Sequence, residues 1–167
     1  MSTPSPAKAA LTIPLPLRLV LLILEPLAAL NGAYLALFHS SSFHSTLTRP
    51  SSAWSPPFCP GNQYLYTQLA GAWLLFAFNS SVILWLCDDL RLWKLMCCGM
   101  LLSDAAYHVS AVQAVGGWGR FVGVMTGGWD WREWAVMGSC VGPAVVRVWI
   151  VLFVKAAGDV KGRKKVE

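Results

Sequence analysis

The chain has 167 residues, of which 56% are hydrophobic and only 13% are charged, and its mean hydropathy is +0.53. A soluble globular domain carries about a quarter charged residues, so this composition excludes an ordinary water-soluble fold. The formal net charge of +5 does not indicate nucleic-acid binding, because much of the excess lies in the final residues KGRKKVE, where a basic segment beside a membrane meets anionic lipid.

Four stretches of the chain are long and apolar enough to cross a bilayer as helices. A span needs about twenty mostly apolar residues, because a helix rises about 1.5 Å per residue through about 30 Å of hydrocarbon. The stretches are residues 17–38, 66–86, 92–115 and 134–154. They predict an all-α fold, a transmembrane four-helix bundle over residues 17–154.

The distribution of Lys and Arg predicts the orientation of the bundle. With four spans, the N-terminus, residues 87–91 and the C-terminal tail share one side, which holds nine of the 13 Lys and Arg residues against three on the other. Because cytosolic segments carry the excess of cations, both termini are predicted to be cytosolic. Residues 1–16 then form a cytosolic N-terminal segment, and residues 155–167 form a basic cytosolic tail.

Two segments outside the spans carry further expectations. The last four residues, KKVE, resemble a dilysine retrieval signal, which favours the endoplasmic reticulum as the compartment, although a basic stop-transfer flank accounts for them equally well. Residues 39–64, rich in Ser and Pro, face the lumen. They predict an irregular surface loop that folds partly over the mouth of the helices.

Ionisable residues inside the spans are the first candidates for function, because burying them in a membrane is costly. They are Glu25, Asp104, His108 and Arg147. Counted from the cytosolic ends, Glu25 and Arg147 lie roughly 11 Å deep, level with Asn79, and Asp104 lies roughly 18 Å deep. These depths predict one layered polar cluster inside the bundle.

Helical spacing groups the polar residues further. Asp104 and His108 are four apart and share a face with the adjacent Tyr107, while Gln68 and Asn79, eleven apart, share a face of the second span. Purely structural roles for the ionisable residues are alternatives to the functional ones. Asp104 and His108 can form an intrahelical hydrogen-bonded pair. Similarly, Glu25 can form an ion pair with Arg147 that joins spans one and four.

The chemistry of buried carboxyl groups narrows the functions to consider. A carboxyl group that keeps its proton in apolar surroundings can donate it to a double bond, an epoxide or a carbonyl of an apolar ligand. Glu25 or Asp104 would be the acid, and His108 the base or orienting partner, as in a membrane isomerase or cyclase. Aromatic rings could stabilise a cationic intermediate, and the candidates are Tyr34, Trp73, Tyr107 and Trp149.

The remaining expectations concern the ligand. The candidate ligand-binding residues are Tyr34, Gln68, Asn79, Tyr107 and Arg147. No motif for a metal, a cofactor or a phosphate group occurs in the sequence, so neither a metal nor a cofactor is expected. The expected partners are a hydrophobic small molecule and membrane lipid, and not nucleic acid.

Several short motifs occur along the four spans and the turns between them. They are Leu24-Glu25-Pro26-Leu27 and Gly32-Ala33-Tyr34, Gln68-Leu69-Ala70 with Asn79, Asp89-Leu90-Arg91 with Trp93, Ser103-Asp104 with His108, and Trp129-Asp130-Trp131. Together they resemble a family of small four-span membrane proteins from filamentous fungi that carry a domain of unknown function. The resemblance implies an integral membrane protein, in some members encoded beside genes for secondary metabolites such as polyketide-peptide hybrids, with other biosynthetic enzymes at the same membrane as partners.

A looser similarity, in span number, in the buried Glu25 and Asp104 and in the dilysine-like tail, is to the four-span class of sterol isomerases and the sigma-2 receptor. Together these resemblances imply a role in fungal secondary-metabolite biosynthesis, as an isomerase-like or cyclase-like enzyme or an accessory factor. The substrate would be a polyketide, terpenoid or polyketide-peptide intermediate. The alternative is a non-catalytic membrane scaffold, or a protein that binds lipid or sterol.

Overall fold

The computed structural model describes residues 7–48, 57–127 and 131–155, and these residues are helical apart from turns and one isolated β-bridge between Lys8 and Asp89. Two of the helices are interrupted by π-turns. The elements in chain order are α1 (Ala9–Thr12), α2 (Leu15–Leu19), a first π-turn (Val20–Leu24), α3 (Glu25–Phe38), α4 (Ser40–Thr48), a 3₁₀ turn (Pro60–Asn62), α5 (Gln63–Phe78), a second π-turn (Asn79–Ile83), α6 (Leu84–Leu86), α7 (Leu90–Ala114), α8 (Trp118–Gly127) and α9 (Trp131–Phe153).

Four helical stretches have the length and hydropathy to span a membrane: Leu15–Phe38, Pro60–Leu86, Leu90–Ala114 and Trp134–Phe153. They confirm the four predicted spans, and the second begins at Pro60 rather than at residue 66 because the 3₁₀ turn runs directly into α5. The cytosolic placement of the termini stays a prediction. The basic tail beyond Lys155, with KKVE, and the motif residues Trp129 and Asp130 lie outside the described residues.

The spans pack as two close pairs, α3 on α5 and α7 on α9. The first pair meets through small side chains, since Ala33 and Ala36 of α3 and Ala70 of α5 are buried in one cluster. Small residues let two helix backbones approach closely, which is the usual way membrane helices associate. The α3–α5 seam is therefore narrow, and the space inside the bundle lies between the two pairs.

The first π-turn has a local cause in the sequence. Pro26 has no backbone N–H, and its ring crowds the carbonyl of Leu22 four residues earlier, which disfavours a regular α-helical turn at this point. The chain responds with a wider turn, in which the N–H of Glu25 donates to the carbonyl of Val20, five residues back. This turn ends at Leu24, and Glu25 is the first residue of α3.

The second π-turn lies opposite the first, and the two are in contact. The N–H of Leu84 donates to the carbonyl of Asn79, again five residues back. Polar side chains favour this distortion, since the hydroxyl of Ser81 donates to the carbonyl of Ala77 at 2.6 Å and competes with the backbone ladder. The two π-turns thus meet at the end of the α3–α5 pair where α3 begins and α5 ends.

Residues 7–13, which were predicted to be part of a separate N-terminal segment, pack against the turn between α6 and α7. The N–H of Ala9 donates to the carbonyl of Asp88 at 3.0 Å, and the N–H of Leu90 donates to the carbonyl of Ala7 at 2.9 Å. Ala9 and Ile13 are buried in the larger hydrophobic core. We call this end of the bundle the closed end; its core also contains Leu21, Leu84, Trp93, Cys97 and Ile150.

The prediction of an irregular loop over residues 39–64 is wrong for its first part, because residues 40–48 form α4. Its inward positions are buried, with Phe43 packed beside α3 and α5. The hydroxyl of Ser40 donates to Oε1 of Gln63 at 2.5 Å, and Nδ1 of His44 hydrogen-bonds the hydroxyl of Tyr66 at 2.7 Å. The polar composition of residues 40–48 favours a loop, but these contacts with Gln63 and Tyr66 stabilise a helix. Residues 49–56 lie outside the described part of the chain.

Candidate functional site

A single guanidinium group joins the two buried carboxyl groups. Nη2 of Arg147 donates to Oε1 of Glu25, and Nη1 donates to Oδ2 of Asp104. The side chains are 2%, 6% and 14% exposed for Arg147, Glu25 and Asp104. The ion pair of Glu25 with Arg147 is confirmed, and Asp104 joins it as predicted from depth. We call these three residues the acid triad.

The triad connects three spans, because Glu25 begins α3, Asp104 lies in α7 and Arg147 lies in α9. A fourth side chain comes from the second span, where the hydroxyl of Ser80 donates to Oε1 of Glu25 at 3.1 Å. Ser80 is fully buried. The two facing π-turns bring this hydroxyl and the carboxylate together. The polar cluster therefore involves all four spans.

The triad leaves some of its polar atoms without protein partners. Oε2 of Glu25 and Nε of Arg147 are buried and have no hydrogen bond within the described residues. Two ionised carboxylates and one guanidinium would also give the triad a net negative charge. Buried polar atoms normally find a partner, and an unpaired one in a native protein indicates a water molecule or a ligand that completes it.

The triad lines a cavity, which we call the inner cavity, with a volume of about 100 Å³. All three acid-triad residues face it, together with Phe43 and Leu47 of α4, which lie across its end. The remainder of its wall is mostly apolar and includes Gly32, Trp73, Phe76, Tyr107 and Cys140. The guanidinium carbon of Arg147 lies 5.5 Å from the centre of the Phe76 ring, a cation–π distance.

Pro143 of α9 adds a backbone acceptor to the same wall. Since Pro143 has no N–H, the carbonyl of Ser139 lacks the donor that residue 143 of a regular helix would supply. Both residues line the inner cavity, and the Ser139 hydroxyl donates instead to the carbonyl of Val136 at 2.7 Å. Ser139 and Pro143 therefore bring a hydroxyl group and the carbonyl left by the proline to the part of α9 that lines the cavity.

A second, outer cavity of about 250 Å³ lies between α5 and α7. Its lining includes Ala72 of α5 and Ala106 of α7, and Asp104 lines both cavities. Trp73 and Tyr107 also line both, and their ring centres are 5.6 Å apart in an edge-to-face arrangement. These two rings therefore stand between the two cavities, with the Asp104 carboxylate beside them.

His108 lies one helical turn after Asp104 in α7. Its Nδ1 hydrogen-bonds the backbone carbonyl of Asp104 at 2.6 Å, so the intrahelical hydrogen-bonded pair is confirmed, through the backbone and not through the carboxylate. His108 also lies outside the residues that line the two cavities. The spacing of four residues brings the ring to the carbonyl of Asp104, while Oδ2 of the Asp104 carboxylate accepts from Arg147.

Three of the expected ligand-binding residues also lie away from the cavities, whereas Tyr107 and Arg147 line the inner one. Tyr34 is half exposed and its hydroxyl contacts Nε2 of His39 at 3.2 Å. Gln68 is exposed on the outside of α5, and Asn79 is only partly buried. The inward face of the second span instead follows Ala70, Trp73, Ala77 and Ser80, about one residue out of phase with the expectation.

Sequence reasoning missed Ser80 and Phe76. Ser80 lies next to the singled-out Asn79, and a helical wheel for an unbroken α-helix could not show which of them turns inward at a π-turn. Phe76 follows Trp73 by three residues and shares its face, which could have indicated it as a cavity residue.

Residues 10–156 match the family described as DUF7704, a domain of unknown function. No curated protein and no solved structure matches the chain significantly. The match covers nearly the whole chain, including every residue of the acid triad, and agrees with the resemblance to proteins that carry a domain of unknown function.

Proposed function

We propose a function from the premise that this chain belongs to the DUF7704 family and has four helices able to span a membrane. It binds a hydrophobic small molecule inside the bundle and acts on it as an acid–base isomerase or cyclase. One observation carries the proposal. Glu25 and Asp104 line the same cavity, and Oε2 of Glu25 is buried without a hydrogen-bond partner among the residues that the structure describes.

The three members of the acid triad have separate roles in this proposal. Glu25, through its unpaired oxygen, passes a proton to a double bond, an epoxide oxygen or a carbonyl of the substrate. Asp104 accepts a proton from the resulting intermediate, so the atoms of the substrate are rearranged without net oxidation. Arg147 contacts both carboxyl groups, orients them and stabilises whichever of them is ionised.

The aromatic wall supports the same chemistry. The faces of Trp73, Phe76 and Tyr107 border the inner cavity, where a cationic intermediate would be held away from water. His108 lies outside this wall, so we assign the role of base to Asp104 rather than to His108. Serine and carbonyl groups on α9 are then available to orient a polar group of the substrate.

The biological setting rests on the resemblance alone. We place the chain in fungal secondary-metabolite biosynthesis, at the endoplasmic reticulum, with a polyketide, terpenoid or polyketide-peptide intermediate as its substrate. In this setting it would work beside other biosynthetic enzymes at the same membrane, either as the enzyme itself or as an accessory factor.

A non-catalytic role is favoured by a different observation. Arg147 uses both terminal nitrogens on carboxylates from other helices, so the triad ties α3, α7 and α9 together. Such a buried link can serve to fix the arrangement of the helices. In this second reading the protein is a membrane scaffold, or a lipid-binding or sterol-binding protein, and its cavity holds a ligand without changing it.

The experiment compares metabolites of the producing organism after deletion of the gene and complementation with variants. Asp104→Asn keeps the shape of the side chain but cannot transfer a proton as a carboxyl group does. Asp88→Asn makes the same chemical change on the exposed turn at the closed end and is the matched control. Immunoblots of membranes establish that all variants are present in equal amounts.

We expect a product that disappears on deletion, returns with wild type and Asp88→Asn, and does not return with Asp104→Asn. Full rescue by Asp104→Asn would contradict the catalytic reading and favour the scaffold or binding reading. A deletion strain with an unchanged metabolite profile would overturn the biosynthetic role altogether.

A further inference from the structure

We propose that the outer cavity is a lateral access chamber, through which a hydroxyl-bearing hydrophobic molecule enters from the bilayer and reaches the acid triad past Trp73 and Tyr107. The inference rests on the proposed function and specifies its substrate class and route. It is carried by the position of the outer cavity, by the residues shared between the two cavities and by the identity of the unpaired polar atoms.

The outer cavity lies on the side of the bundle that faces lipid. It is formed between α5 and α7, both within spanning helices, and its lining residues Ala72, Ala106 and Ser103 are exposed. The closely packed pairs are α3 with α5 and α7 with α9, so the seam between α5 and α7 is the more open one. A molecule dissolved in the membrane can therefore reach this chamber sideways, without crossing water.

The two cavities share the residues that a ligand would have to pass. Trp73, Phe76, Tyr107 and Asp104 line both. The indole of Trp73 lies against Gly32 of α3, where an added methyl group would be 3.4 Å from the ring. A side chain at Gly32 would touch the indole, whereas the glycine leaves the space between the ring and α3 open. A small rotation of Trp73 or Tyr107 would join the two spaces.

The volumes are also consistent with one ligand that occupies both spaces. The inner cavity alone, at about 100 Å³, accommodates only the small polar head group of a ligand and the few atoms bonded to it. With the outer cavity of about 250 Å³, the space reaches the lower end of the roughly 300–1,000 Å³ that is typical of small-molecule sites. The head of the ligand would lie in the inner cavity and its apolar body in the outer one.

The unpaired atoms indicate the chemistry of that head. Oε2 of Glu25 donates a hydrogen bond while it carries the proton of the proposed acid and accepts one after the proton has left, and the indole N–H of Trp73 donates one. Both atoms are buried, have no partner among the described residues and belong to residues that line the inner cavity. A hydroxyl group both donates and accepts, so it suits the pair. A carboxylate only accepts. Nε of Arg147 could donate to it, but a carboxylate would add a negative charge beside Glu25 and Asp104, which share a single guanidinium. An ammonium only donates and would leave the indole unpaired.

The test uses photolabelling of the full-length chain in lipid nanodiscs. The probe is a sixteen-carbon alcohol with a diazirine in its chain, and labelled peptides are mapped by mass spectrometry. Ala106→Trp fills the outer cavity. Ala105→Trp places the same indole on the neighbouring exposed position, outside the cavity lining, and is the matched control.

We expect labelling of the α5 and α7 segments that border the outer cavity, competed by unlabelled hexadecanol and at least tenfold less well by palmitate or hexadecylamine. Ala106→Trp should remove this labelling and Ala105→Trp should retain it. Equal labelling of all lipid-facing surfaces, equal loss in both variants, or equally effective competition by palmitate would overturn the proposal.

The metabolite assay separates a failure of this inference from a failure of the proposed function. Loss of the product with Asp104→Asn but full retention with Ala106→Trp would overturn the lateral route and leave the catalytic role standing. Retention of the product with Asp104→Asn would overturn the catalytic role. Cavity-specific labelling would then still support the chamber as a binding site for an alcohol.

Discussion

The closed end and the cavity region use the same residue type in opposite ways, as two tryptophans show. Trp93 at the closed end is 1% exposed, and its indole N–H donates to the carbonyl of Cys87 at 2.7 Å. Trp73 is partly exposed to the cavities, and its indole N–H has no partner among the described residues. The Trp93 ring is held in place by packing and by a hydrogen bond. The Trp73 ring lines the cavities, and its indole N–H makes no hydrogen bond to the described residues.

This contrast separates the parts of the bundle that hold it together from the part that is available for a ligand. At the closed end the chain folds back on itself, and backbone hydrogen bonds join residues 7–9 to the turn before α7. In the cavity region buried polar atoms remain unpaired and the α5–α7 seam is open. A protein whose only task was mechanical would gain stability from filling this space.

The largest effect is expected from removing both carboxylates at once, as Glu25→Gln with Asp104→Asn. Either single variant leaves Arg147 one ionic partner, whereas the double variant leaves a buried cation with none. Breaking a buried ion pair in this way costs about 3–5 kcal/mol in the free energy of unfolding. Denaturation in mixed micelles should show a loss larger than the sum of the two single losses. Additive losses would contradict a shared role of the triad.

Smaller effects on the free energy of unfolding are expected for the two single variants Trp93→Phe and Trp73→Phe, which should differ from each other. The first removes a buried hydrogen bond, leaves the Cys87 carbonyl unpaired and should lower the free energy of unfolding by about 1–3 kcal/mol. The second removes an indole N–H without a partner and should cost less than about 1 kcal/mol while reducing labelling by the alcohol probe. Unfolding in micelles measures the stability of both variants, and photolabelling measures their binding of the alcohol probe. Equal losses of stability in the two variants would contradict the distinction between the closed end and the cavity region.

The smallest effect is expected at Gln68, which is exposed on the outside of α5. Gln68→Leu should change the free energy of unfolding by less than about 0.5 kcal/mol and should leave product formation unchanged. Unfolding in micelles and the metabolite assay measure these two quantities. A loss of product with normal protein abundance would mean that the second span presents a different face to the ligand.

Much of the fold follows from hydropathy, because a bilayer demands long apolar helices and the four spans are the stretches that provide them. Depth within a span was also sufficient to bring Glu25, Asp104 and Arg147 together, since the cost of burying a charge requires a partner at a similar level. The helix α4 was not predictable in this way. Its Ser-rich sequence has weak local preference, and its stability depends on contacts of Phe43 and Ser40 with other spans.

The sequence predicts how deep a side chain lies in the membrane better than it predicts which way the side chain points around its helix. Asn79 and Gln68 were expected to face inward because they are polar, yet the inward face carries Trp73 and Ser80. His108 pairs with Asp104 as expected, although through the backbone carbonyl and not through the carboxylate. Small rotations of a helix, and the choice between two nearby acceptors, depend on packing that no single sequence displays.

The facing π-turns bear on how related chains should be compared. A π-turn accommodates one extra residue in a helix while the segments before and after it keep their orientation. A homologue one residue shorter between positions 79 and 83 would therefore present the same faces of α5 and α6, but with a regular turn where Ser80 now contacts Glu25. A gap of one residue in an alignment at this point would then mark a functional difference between family members rather than a neutral change in length.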